Sequence, residues 1–210
     1  MNQLLDLIIF GGTGDLSTRK LLPALYQLHR HNLAERLHRV IATGRDEMDT
    51  ATFRQTVRQN LQEFLPPGSW DEAVWEVFRD HLHYRTVEAD NPADYDKLSV
   101  LLDQAETSHR LYYLATLPSL YGEICLQLQS ADAVNNNSRV VLEKPLGHNL
   151  ETCSAINEQV AQVFEEEATF RIDHYLGKET VQNLLALRFG NQLFHPMWNN
   201  TFIDNVQITV

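Results

Sequence analysis

Residues 7–10, Leu-Ile-Ile-Phe, run straight into Gly11, Gly12, Thr13 and Gly14, and behind them Leu21, Leu22, Leu25 and Leu28 recur on one helical face. A strand with one wet face would alternate apolar and polar residues, so an unbroken apolar run predicts a strand buried on both sides. A helix that follows it directly must fold back over the sheet, and the natural continuation of such a unit is a parallel sheet. Pro23 lies inside the helical stretch. Proline lacks an N–H and crowds the carbonyl four residues back, which predicts a first turn after Asp15 and then a re-entered or kinked helix.

The alternation repeats along the chain. Residues 40–42 predict a second strand that closes at Thr43-Gly44-Arg45, and Phe53, Val57, Leu61 and Phe64 mark a helix broken by Pro66-Pro67-Gly68. A helix over 74–82, a strand over 84–87 and a helix carrying Tyr95, Leu98, Leu101 and Leu102 come next. Residues 111–114 read as a strand, Tyr121, Ile124, Cys125 and Leu128 as a helix, and 139–142 as a strand leading into Glu143-Lys144-Pro145. Helical spacing returns at Ile156, Val160, Val163 and Phe164, a strand at 169–172, and a helix at Val181, Leu184, Leu185 and Phe189. This succession predicts an α/β fold, a Rossmann-like doubly wound parallel sheet. The end differs in kind: Val206, Ile208 and Val210 alternate with polar neighbours, the period of a sheet with one buried face. A lone strand completes no ladder, which predicts that Val210 is not a natural domain end.

Among 210 residues, 43% are hydrophobic and 21% charged, and the net charge is -11. Nucleic acid and anionic membranes recruit an excess of Lys and Arg, so both are excluded as the main partner, and an anionic substrate would need a local basic cluster. Cys125 and Cys153 belong to no C-x-x-C pair, which argues against a disulfide framework and a metal site and suits a cytoplasmic protein. The start, MNQLLDLIIFGG, lacks a basic leader, and no apolar run reaches membrane-spanning length.

Glycines between a strand and a helix let a pyrophosphate approach the backbone, and the helix start supplies unpaired N–H groups. Gly11, Gly12, Thr13 and Gly14 hold that place at the first βα junction, where the alternative is a tight turn with no ligand. The end of the second strand then separates cofactors: an acid there suits the ribose 2′-OH of NAD, an arginine the 2′-phosphate of NADP. The string VIATGR delivers Arg45 and points to NADP, although Asp46 and Glu47 follow it.

Three blocks, IIFGGTGDLSTRKLLPALY, VVLEKPLG and FRIDHYLGKETVQNLLALRF, together with Ala115 to Tyr121, resemble signature blocks of the glucose-6-phosphate dehydrogenase family, in that family's order. One departure is Leu117, which stands where the family usually has the first of two prolines. The resemblance implies an NADP-binding domain over 1–175 and, from 176 to 210, the start of an α+β substrate and dimerisation domain that is incomplete here. It implies oxidation of glucose 6-phosphate at C1 to the lactone with hydride transfer to NADP, the first step of the pentose phosphate pathway. The full-length form is then a homodimer or homotetramer. Gly11, Gly12, Thr13, Gly14, Asp15, Leu16, Ser17, Arg45, Ala115, Tyr121 and Lys144 are implied as cofactor contacts. Lys144, His174, Tyr175 and Lys178 are implied as sugar phosphate contacts. Asp173 and Lys144 carry catalytic roles by the same resemblance, Asp173 by orienting a general-base histidine outside these residues.

The residues support part of this independently. Gly177-Lys178 opens a helix, where dipole and lysine together favour an anion. Taken singly, Asp173 could cap that helix, His174 could be an interior histidine and Lys144 could pair with a carboxylate. His174 adjoins Asp173, and alternation along a strand would turn the two to opposite faces. Two other functions remain open at this stage: a nucleotide-binding module without turnover, and a sugar dehydrogenase of the inositol-dehydrogenase-like group, in which EKP also occurs.

Overall fold

The computed structural model describes residues 4–104 and 109–207. Its strands are β1 (Leu5–Phe10), β2 (Leu37–Gly44), β3 (Leu82–Thr86), β4 (His109–Leu114), β5 (Ser138–Glu143) and β6 (Thr169–Ile172). Its helices are α1 (Leu22–Arg30), α2 (Thr50–Phe64), α3 (Glu72–His81), α4 (Pro92–Asp103), α5 (Tyr121–Ser130), α6 (Leu150–Ala161) and α7 (Glu179–Phe189). The strands form one six-stranded sheet in the order β3-β2-β1-β4-β5-β6. β1 pairs in parallel with β2 and β4, β2 with β3, and β4 with β5. Strand order reverses between β1 and β4, which opens a crevice at the carboxyl ends of those two strands. The doubly wound fold read from the alternation is the one observed.

Both sheet faces are buried, which is why β1 shows no alternation. Ile8 and Phe10 join Tyr95, Leu98, Ile124 and Leu128 on the face covered by α4 and α5, and Leu7 and Ile9 join Tyr26, Phe53, Leu61 and Phe78 on the other. Asp6, which interrupts the apolar stretch in sequence, is fully buried within β1. Its register partner on β2 is Arg39, whose Nε donates to Asp6 Oδ1 at 3.0 Å and whose Nη2 pairs with the other oxygen. Arg39 Nη1 also donates to the Leu101 carbonyl at 3.0 Å, so the buried charges are satisfied by hydrogen bonds as well as by each other.

Pro23 does not break its helix. Residues 17–21 form a π-helical turn and Pro23 enters α1 at its first turn, where its missing N–H leaves no gap in the ladder. α6 stops at Ala161, earlier than its apolar spacing predicts, yet Val163 and Phe164 still reach the core, Phe164 through an N–H to Val160 C=O bond of 2.9 Å.

The chain divides into two compact units, Met1–Arg171 and Ile172–Val210. The second contains α7 and a short 3-10 turn at His195–Met197, and residues 203–207 have no regular structure. Val206, expected in a strand, lies in that irregular stretch, and Ile208 and Val210 lie outside the described residues.

Candidate functional site

The crevice begins where β1 meets its glycine turn. Gly11 has φ of 81°, and a Cβ there would stand 2.5 Å from the Ala115 carbonyl oxygen; one on Gly12 would stand 2.5 Å from Ala42 Cβ. Both positions need glycine for sterics alone, before any ligand is considered. Their N–H groups both donate to Thr43 C=O, at 3.0 and 2.8 Å, and so hold the turn against β2. Gly14 N–H bonds Gly11 C=O, and Thr18 N–H reaches Gly14 C=O, each at 3.0 Å. Gly14 is therefore the helix cap, and the N–H groups of Asp15, Leu16 and Ser17 precede the ladder. The glycines clear the space, and residues 15–17 hold the donors an anion would use.

Ser17 is buried, with its hydroxyl donating to Gly11 C=O at 2.8 Å, so its side chain ties the turn and only its backbone belongs to the donor set. Asp15 pairs with Arg19 on the exposed surface at 2.7 Å. Thr13 stands close to β2, where a Cβ on Gly44 would meet its Oγ1 at 3.1 Å.

Arg45 follows β2 in a segment anchored to β3. Val87 N–H donates to Gly44 C=O at 2.9 Å, while the Tyr84 and Thr86 hydroxyls donate to Asp46 C=O at 2.8 and 3.2 Å. Arg45 itself is exposed and forms no hydrogen bond or ion pair among the described residues, with Asp46 and Glu47 included. It borders a cleft of about 680 Å³ with Met48, Tyr84, Arg85 and Lys97.

Across the crevice, Ala115 N–H bonds Phe10 C=O at 2.9 Å and brings the loop after β4 against the glycine turn. Thr116, next to it, has a buried hydroxyl without a partner among the described residues, and its methyl group would lie 3.3 Å from a Cβ on Gly11. A turn cleared of Cβ atoms, N–H groups ahead of the helix ladder, and a buried hydroxyl left unpartnered beside them fit a pyrophosphate-bridged dinucleotide. Thr116 falls within the stretch Ala115 to Tyr121, but its spacing is that of any hydroxyl residue after a strand and does not single it out.

Lys144 is exposed just past β5, and the Lys144–Pro145 peptide is cis. The residue before it is held twice: the Tyr113 hydroxyl bonds the Glu143 carboxylate, and the buried Tyr121 donates to Glu143 C=O at 3.3 Å. Burial, reinforced by that carboxylate, pushes the Tyr113 hydroxyl well above its ordinary pKa and keeps it a donor. Tyr121, implied as a cofactor neighbour, thus has a structural contact of its own. Tyr113 was not legible from sequence, since its spacing is that of an ordinary strand residue.

In the second unit, β6 ends at Ile172 and residues 174–177 form turns, so strand alternation does not govern Asp173 and His174. Asp173 Oδ1 accepts from Tyr175 N–H at 3.0 Å, and His174 C=O from Gly177 N–H at 3.2 Å. The helix α7 is capped by Lys178, with no side-chain cap, so Asp173 serves the turn and not the helix start. Lys178 Nζ sits 4.0 Å from the centre of the Tyr175 ring, a cation–π contact that leaves the ammonium beside the helix N-terminus. Among the described residues no group of side chains could hold a metal ion, and no helix is long and apolar enough to cross a membrane.

Residues 8–183 match the family model described as "Glucose-6-phosphate dehydrogenase, NAD binding domain", and residues 185–210 match "Glucose-6-phosphate dehydrogenase, C-terminal domain". A glucose-6-phosphate 1-dehydrogenase of Rhizobium meliloti (strain 1021) is 42% identical over 205 residues, covering 98% of this chain and 42% of the relative. A crystal structure of glucose-6-phosphate 1-dehydrogenase from Mycobacterium avium superposes with a TM-score of 0.80 at 32% identity, over 95% of this chain and 42% of that one. A glucose-6-phosphate dehydrogenase solved in complex with glucose-6-phosphate gives a TM-score of 0.81 at 32% identity, again over 95% and 42%. The chain therefore spans about 42% of the length of the relatives it matches.

Proposed function

Since this chain belongs to the glucose-6-phosphate dehydrogenase family, we propose that residues 1–175 form the NADP-binding domain of an enzyme that oxidises glucose 6-phosphate at C1, and that 176–210 begin its substrate and dimerisation domain. Bound NADP would supply the hydride acceptor. The observation that carries this reading is the glycine turn at the switch point of the sheet, with Arg45 just past the end of the next strand, on an anchored segment and without a partner among the described residues. A 2′-phosphate is a dianion that a guanidinium meets with two parallel bonds, whereas NAD offers only a hydroxyl there.

Residues 15–17 would bind the pyrophosphate, and Ala115 and Tyr121 would bound the crevice. Lys144 would hold the C1 oxygen and stabilise charge that develops on it. Lys178, His174 and Tyr175 would hold the sugar phosphate at the start of α7. Asp173 would orient the histidine that takes the C1 hydroxyl proton, which belongs to the part of the relatives this chain does not span. The whole enzyme would be a cytoplasmic homodimer or homotetramer, in keeping with two unpaired cysteines, of which the buried Cys125 has its thiol pushed up to about 12 by desolvation. With the general base and much of the sugar pocket elsewhere, residues 1–210 by themselves would bind NADP without turnover.

Titration of residues 1–210 with both cofactors tests this: Arg45→Ala should weaken NADP by roughly 1.5–3 kcal/mol and leave NAD nearly unchanged. Equal losses for both would remove Arg45 from the 2′-phosphate. In a chain that spans the whole enzyme, Lys178→Ala and His174→Ala should chiefly raise KM for glucose 6-phosphate, and Asp173→Asn should chiefly lower kcat. Sustained NADPH formation by residues 1–210, abolished by His174→Ala, would show that the proton acceptor is His174.

A further inference from the structure

The arginines of the first unit divide by their partners. Arg19, Arg39, Arg54, Arg58, Arg79, Arg110 and Arg171 each pair with a carboxylate, whereas among the described residues Arg30, Arg36, Arg45, Arg85 and Arg139 do not. Arg45 has no partner among the described residues, and Arg85 bonds only to the Tyr84 carbonyl of its own strand, at 3.1 Å. These two border the same cleft. Glu47, Asp49, Glu88 and Asp94 line the cleft as well, but among the described residues none of them pairs with either guanidinium, so both remain available to an anion from solution. Lys97, the other cation of the lining, is already bound to Asp94 at 3.0 Å.

Sheet register and the anchored end of β2 explain why they converge. Thr43 on β2 and Arg85 on β3 are partners in a parallel pair, and partners on adjacent strands project to one face. Arg45 lies one residue past β2, in a bend, so its place beside β3 is set by the bonds that hold Gly44 and Asp46 there and not by strand alternation. A strand spacing of about 4.8 Å with two residue steps of about 3.3 Å puts the two backbones on the order of 8 Å apart. Two extended arginine side chains span that gap to a tetrahedral anion between them. The anchoring of Gly44 and Asp46 to β3 fixes one arm relative to the strand that carries the other.

We infer that Arg85 is a second specificity-determining residue for the cofactor, closing on the ribose 2′-phosphate from β3 as Arg45 closes on it from β2. The inference rests on the proposed reading of Arg45 and extends it to a residue with no glycine-turn or strand-end signature. Calorimetric titration of residues 1–210 with NADP, NAD and 2′,5′-ADP tests it in the wild type, Arg45→Ala, Arg85→Ala, Arg85→Gln and Arg85→Lys. Arg85→Ala and Arg85→Gln should each weaken NADP and 2′,5′-ADP roughly tenfold and change NAD by less than about twofold, with Arg85→Lys keeping part of the affinity. Arg85 is exposed, so the thermal midpoint should stay put and show that folding is intact. Loss with Arg45→Ala but not with either neutral Arg85 variant overturns the inference and leaves the reading of Arg45 standing. No loss with any of them overturns both, and equal loss of NADP and NAD assigns Arg85 to the fold instead.

Discussion

The turn at residues 11–17 and the segment at 173–178 each place a helix start after a strand, and both suit an anion, but they are held in opposite ways. The first is fixed from both neighbouring strands at once: on β2, Thr43 accepts from two glycine N–H groups and Ala42 leaves no room for a Cβ on Gly12, while Ala115, just past β4, closes on Gly11. The second is held by bonds between residues two or three apart, and residues 174–178 are exposed. The same contrast runs through the helices beyond them. α5 buries Tyr121, Ile124, Cys125 and Leu128, whereas α7 buries none of its residues, and Leu184, Leu185, Leu187 and Phe189 are all exposed. The lesson is that the glycine turn is set by tertiary packing, whereas the segment at 173–178 keeps a local shape that its own turn bonds specify.

The largest expected effect lies beneath the first turn. Asp6→Asn leaves Arg39 as a buried charge without its counterion and should lower stability by about 3–5 kcal/mol in urea unfolding, with cofactor affinity falling in proportion to the unfolded fraction. A loss below about 1 kcal/mol would mean that the strands under the turn are less tightly specified than the buried pair suggests.

A matched pair of glycine substitutions probes the contrast directly. Gly12→Ala forces a methyl group to 2.5 Å from Ala42 Cβ, which should cost about 1–3 kcal/mol by overpacking and reduce NADP binding through displacement of residues 15–17. Gly177→Ala meets its nearest atom, the His174 carbonyl oxygen, at 3.5 Å, an ordinary contact, and should fall within about 0.5 kcal/mol of wild type. Similar losses for the two would erase the distinction drawn here.

The smallest effect is on pH. His83, on β3, has its pKa lowered from 6.5 to about 4, first by burial and then by Arg54, Arg39 and Arg85. The unfolded chain therefore binds the extra proton across that window, so this contribution to stability is fully present above about pH 6.5 and is lost as pH falls towards about 4. Thermal melts between those limits should show a smaller acid slope for His83→Gln than for wild type. An unchanged slope would move the titration to other groups.

The period of the apolar residues determined much by itself. Each predicted strand from β1 to β6 and each helix from α1 to α7 is present, because a strand buried on both faces and a helix buried on one leave distinct patterns in the order of residues. The glycines at 11, 12 and 14 and the arginine after β2 were legible for the same local reason: a turn needs residues without Cβ, and a strand end exposes its next side chain. Tertiary structure alone decided the rest. Only the register of β1 on β2 turns Asp6 from an interruption into half of a buried ion pair. Only the fold brings Tyr113 and Tyr121 onto Glu143, from positions 30 and 22 residues away. Only the fold engages the N–H groups of Gly11 and Gly12 with Thr43 and that of Gly14 with Gly11, which leaves those of residues 15–17 ahead of the helix ladder. Periodicity records which face a residue takes, and the partner it meets there depends on strands and helices distant in sequence.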